Sequence, residues 1–116
     1  MDHKPLSAAA DMGVKAAELC ETMADVRAGV DALDRALVKL LSERFAYMRA
    51  AARIKTSRNA VRDETRKAAV IAQARAEAEA LGAPAADIAA LWDHLVELSI
   101  AYEGAAWDRL HPSGTP

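Results

Sequence analysis

Arg27, Arg44, Lys55 and Arg66 are four cations set along two stretches that otherwise read as built for burial. Residues 23–55, MADVRAGVDALDRALVKLLSERFAYMRAAARIK, contain no proline and a single glycine. Their apolar positions Val26, Val30, Leu33, Leu37, Leu40, Leu41 and Met48 step by three and four, which predicts an amphipathic helix. At about 100° per residue, the eleven steps from Arg44 to Lys55 end within about 20° of the same face. That face also belongs to the apolar seam, so two long cations point toward a packed surface. Charges removed from water need anionic partners, and the local sequence supplies few. A small dianionic ligand would meet the need.

Seventeen residues separate Arg27 from Arg44, about 25 Å along a straight helix and about 100° around it. One straight helix cannot bring both to one small ligand. If two such helices pair antiparallel, Arg27 of one chain lands near Arg44 and Lys55 of the other, so a shared site predicts a homodimer. Further along, Ser99 and Glu103 are four apart and share a helical face. Glu103 lies among Ile100, Tyr102, Ala105 and Ala106, a setting expected to favour its protonated form. Asp63 and Arg66 fall where a connection enters the second helix. Together these groups would cage a ligand with two carboxylates. No activated nucleophile, glycine-rich phosphate loop or Ser/His/Asp set accompanies them. His3, His94 and His111 lack metal-ligand spacing. The expected chemistry is one that electrostatic preorganisation accelerates without a cofactor.

The elements that must position these residues are all helical. Thr22 and Asp25 resemble a capping box at the start of the long first helix. Residues 56–63, TSRNAVRD, lack an apolar period and read as a connection. A second, shorter helix is expected over residues 64–81, stopped by Gly82 and Pro84. A third runs from about residue 84 to 110, with Ile88, Leu91, Trp92, Leu95, Leu98, Tyr102 and Trp107 as its seam. Residues 1–21 form an arm that Pro5 and Gly13 interrupt, residues 22–110 the helical domain, and residues 111–116 a frayed tail. The fold class expected is all-α, a long–short–long three-helix chain in an intertwined homodimer. Large apolar residues are scarce for a chain of 116 residues with 4% aromatics, which again favours burial between two copies.

Composition excludes several partners. A net charge of −2 argues against nucleic acid and acidic membrane surfaces, which both want a basic excess. The single cysteine, Cys20, excludes an internal disulfide and fits a reducing compartment. The first residues show no continuous apolar run, so neither a signal peptide nor a membrane span is read, and a cytoplasmic protein is expected.

Taken together, R-x6-D at Arg27, E-R eleven residues before Lys55, V-R-D-x-x-R at Val61 to Arg66, and S-x3-E at Ser99 resemble the all-helical (type II) chorismate mutases. The resemblance covers about residues 23 to 107. It implies an intertwined dimer with two sites, each borrowing an arginine from the other chain, and cofactor-free rearrangement of chorismate to prephenate. By that resemblance Arg27 and Arg44 hold the substrate carboxylates. Lys55 and Glu103 donate to the ether oxygen, and Asp63, Arg66 and Ser99 line the pocket. A glutamate donates only when protonated, so activity is expected to decline as pH rises through its pKa, and Glu103→Gln to flatten the decline. Lys67 stands where mutases usually carry a glutamate that binds the ring hydroxyl. The segment CETMADVR, residues 20–27, is similar to isochorismate-pyruvate lyases of the same fold, which make salicylate. That lyase is the alternative activity. An alternative of another class is a noncatalytic helical dimerisation module, which leaves two cations on the seam face unexplained.

Overall fold

The computed structural model describes residues 8–112. The first seven residues of the arm, with His3, and the last four of the tail lie outside the described residues. Among the described residues every regular element is helical: a single turn α1 (Ala8–Asp11), then α2 (Met23–Ile54), α3 (Glu64–Leu81) and α4 (Ala85–Leu110), with 3-10 turns at Ala17–Leu19 and Arg58–Ala60. The long–short–long layout expected for the domain is present. No helix is long and apolar enough to cross a membrane among these residues.

Local chemistry explains the boundaries. Asp25 N donates to Thr22 Oγ1 at 3.1 Å, while Asp25 Oδ2 accepts from Glu21 N at 3.0 Å. This reciprocal cap satisfies donors at the start of α2 that the helix leaves orphaned. Asp63 caps α3, its carboxylate accepting from Arg66 N at 2.9 Å. Gly82 ends α3 at φ 72°, a left-handed conformation that costs an L side chain energy, and Ala83 N reaches back to Ala78 O at 2.8 Å. Pro84 then opens α4, and its carbonyl accepts from Ile88 N at 3.0 Å.

The chain forms two compact units divided after Arg44, with α2 running through both. In the first, the arm is fixed to the start of α2 by Lys15 Nζ, 3.2 Å from Asp25 Oδ2. Hydrogen bonds from Glu21 N and Lys15 hold the Asp25 carboxyl below its usual range, and Asp25 in turn raises Lys15. The second unit contains the end of α2, the connection and the packed pair α3 and α4. Its core is Ala52, Val61, Ala106 and Trp107, with Ile100 against them.

The α2 seam is open on the single chain, as expected of a surface to be buried between two copies, and the α4 seam departs in part from the burial expected of it. On α2, Val30, Leu33, Leu37 (53% exposed) and Leu40 (61% exposed) face solvent on the single chain. On α4, Leu91 and Leu98 are exposed, and the buried stripe is Ala89, Val96, Ser99, Glu103, Ala106 and Trp107. Trp107 of the expected seam is buried, and the small residues Ala89, Ser99, Gly104 and Ala106, which let neighbouring groups approach closely, share that face with it.

Candidate active site

The site grows from the end of α2. Lys55 is the first residue past the helix, and its N–H still bonds to Ala51 O at 2.8 Å. Its carbonyl, free of any helical partner there, accepts from the indole Nε1 of Trp107 at 3.1 Å. Backbone and indole together fix where the Lys55 side chain starts. Its ammonium lies 2.7 Å from Glu103 Oε2, with the lysine side chain 29% exposed and the glutamate 6%. The two are joined by charge. Oε2 is itself enclosed, and the ammonium supplies its counter-charge. An ammonium carries three N–H groups, so Lys55 can hold this carboxylate and still donate to a ligand.

Ser99 lies one helical turn before Glu103 and is also buried. Its hydroxyl donates to Leu95 O at 2.7 Å, which holds it against its own helix. Trp107, four residues beyond Glu103, continues the same stripe. Thus Ser99, Glu103 and Trp107 form a ladder on α4, with Lys55 set against its middle. Asp63 and Arg66 meet through the N-cap bond at the start of α3, and the Arg66 side chain is exposed. Arg27 is exposed and Arg44 half-buried, both on the part of α2 that precedes Phe45. Helical rise keeps them about 25 Å apart within one chain. The structure therefore joins Lys55 to Glu103 and Asp63 to Arg66, and one chain does not unite Arg27 with Arg44.

Lys67 takes part in a different constellation. Its ammonium is 2.6 Å from Glu97 Oε2 and 3.1 Å from Asp93 Oδ1. Glu97 also receives both Arg62 guanidinium nitrogens, at 2.8 and 3.0 Å. Those two cations pull the Glu97 carboxyl down to about 2, while Glu97 and Asp93 raise Lys67 and Glu97 raises Arg62.

Sequence reasoning assigned Trp107 to packing and passed over its bond to Lys55. The available signal was its position four residues after Glu103, on the same face. Arg58 and Asp108, which pair at 2.8 Å, were also missed. Nothing in residues 56–63 distinguishes Arg58 from a solvated charge.

Residues 26–104 match the family described as chorismate mutase type II. All seven candidate site residues fall inside that span. The chain belongs to the type II chorismate mutase family. It is also similar to an isochorismate pyruvate lyase of Pseudomonas aeruginosa, at 31% identity over 94 residues that cover 81% of this chain and 93% of the relative.

Proposed function

We propose that the protein is a chorismate mutase that converts chorismate to prephenate in a homodimer with two shared sites. The observation that carries this reading is the Lys55–Glu103 pair, an ammonium 2.7 Å from a buried carboxylate, one turn from a buried serine. The reaction breaks one carbon–oxygen bond as a carbon–carbon bond forms, and no group leaves. It needs no nucleophile, only a surface that favours the charge separation of the transition state. Lys55 would donate to the ether oxygen as that oxygen gains negative charge, with Glu103 orienting the ammonium and donating itself when protonated.

Arg44, and Arg27 from a second copy, would grip the two carboxylates, because a guanidinium fork matches a carboxylate in two parallel bonds. Asp63, Arg66 and Ser99 would line the pocket and hold the ring in its reactive conformer, which lowers the entropy still to be lost. A dimer is supported by the exposed seam of α2, since Leu37 and Leu40 are more than half exposed within one chain and Val30 and Leu33 only partly covered.

A second reading, isochorismate-pyruvate lyase, is favoured by the named relative and by Lys67, which presents an ammonium held by Asp93 and Glu97 where mutases carry an acid. Both reactions would take a ring compound with two carboxylates and would draw on the same cations. Purified protein supplied separately with chorismate and isochorismate distinguishes them. Prephenate from the first supports the mutase, whereas salicylate and pyruvate from the second, with no prephenate from the first, replaces it by the lyase. Turnover of neither, by a protein that is folded and dimeric, leaves the dimerisation module.

A further inference from the structure

We propose that Arg58 is a positioning residue, a latch seated on Gly104 of α4 that holds the connection and, through it, keeps Lys55 against Glu103. The connection, residues 55–63, is held to α4 at three points. The Lys55 carbonyl accepts from Trp107 Nε1, Val61 is buried among Ala52, Ala106 and Trp107, and Arg58 lies across the helix between them. The guanidinium occupies the space that a side chain at position 104 would fill. A Cβ built on Gly104 would sit 2.8 Å from Arg58 Nη2 and 3.1 Å from Cζ. Arg58 Nε then donates to Asp108 Oδ1 at 2.8 Å, with Nη2 3.5 Å from Oδ2, one turn further along α4.

Gly104 is otherwise a poor choice in the middle of a helix, because glycine is among the weakest helix formers. Its φ lies within the ordinary helical range, so no backbone conformation demands it. The observation that accounts for it is the Arg58 guanidinium lying where a Cβ would be, next in sequence to Glu103. An exposed ion pair alone contributes little. Here it is combined with a shaped seat and anchors a short segment whose first residue is Lys55. A small displacement of a catalytic group can cost up to about a hundredfold in rate, so a latch of modest strength is enough to matter. The role at Lys55 rests on the function proposed above. The latch itself does not.

Gly104→Ala separates positioning from folding. The added methyl displaces only the mobile end of Arg58, and alanine is the better helix former, so thermal stability should stay level or rise. Hydrogen exchange of residues 56–62 should nevertheless accelerate, and kcat should fall about tenfold with KM little changed. Arg58→Ala should do the same, Arg58→Lys should recover part of the loss, and Gly104→Ala added to Arg58→Ala should cost nothing more. A protein whose exchange over 56–62 and whose kcat are both unaltered in Gly104→Ala and Arg58→Ala has no latch. Exchange that accelerates without any change in kcat overturns the link to Lys55. If the unmodified protein turns over neither chorismate nor isochorismate, the proposed function falls, and exchange still decides whether the latch exists.

Discussion

Replacing Lys55 by alanine strips the Glu103 carboxylate of its counter-charge and leaves it almost wholly enclosed. Breaking a fully buried ion pair by deleting one partner costs about 3–5 kcal/mol. Here the pair is asymmetric, with 29% of the lysine side chain exposed against 6% of the glutamate. Water entering from the lysine side offsets part of the loss, so about 2–3 kcal/mol remains. With an unfolding entropy of about 2 cal/mol/K per residue, a chain of 116 residues should melt about 10 °C lower. Calorimetry at one fixed protein concentration is the assay, because association shifts the melting point by mass action. The double variant Lys55→Met with Glu103→Gln removes both charges and should regain most of the loss. In turnover the single variant should lose about 10²- to 10³-fold in kcat, the cost of removing a donor aimed at developing charge. A melting point within about 2 °C of the parent's, or a double variant as unstable as the single one, would refute the view that burial makes this pair costly to break.

Acid should act through Glu97. Its carboxyl is held at about 2 against an ordinary 4.5, so its contribution is complete above about 4.5 and is lost as pH falls toward 2. The parent's melting point should therefore fall more steeply over that interval than that of Glu97→Gln, and parallel slopes would count against the cluster. Trp107→Phe keeps an aromatic ring but removes the donor to Lys55 O and part of the buried indole's volume, which together should cost about 2 kcal/mol or more in calorimetry. Unchanged stability would show that bond to be idle. Leu37→Glu places a charge on the exposed α2 seam and should yield monomers in sedimentation. A persisting dimer would move the interface elsewhere. If sites are shared, co-refolding Arg27→Ala chains with Arg44→Ala chains should restore about a quarter of parental turnover, since half of the dimers then hold one intact site. No recovery from the mixture, with both variants dimeric, would place Arg27 outside the site.

The helices were legible because their ends are punctuated. Thr22 with Asp25, Gly82 and Pro84 each impose a boundary through a named backbone bond, and the structure puts α2, α3 and α4 where those residues place them. Burial was less legible. Val61 stands alone among polar residues, so no periodicity reveals that it reaches the core formed by Ala52, Ala106 and Trp107. On α4 the hydrophobic pattern selects Leu91 and Leu98, whereas close approach of helices selects Ala89, Ser99 and Ala106. Pattern reports hydrophobicity, and packing also depends on size.

The site shows the same division. Two cations on the seam face of α2 called for anionic partners, and the nearby sequence offered few. For Lys55 the structure supplies one from α4, forty-eight residues away. Spacing on one helix cannot reveal a partner on another: the family resemblance made Lys55 and Glu103 joint donors to one oxygen, and their pairing with each other comes from the structure. Finding that partner does not remove the reason to expect a ligand. The glutamate is enclosed at 6% exposure, whereas the lysine that meets it keeps 29% of its side chain open. An ammonium has three N–H groups and one carboxylate oxygen does not use them all, so a substrate oxygen reaching the exposed side of Lys55 would be met by a donor already held in place.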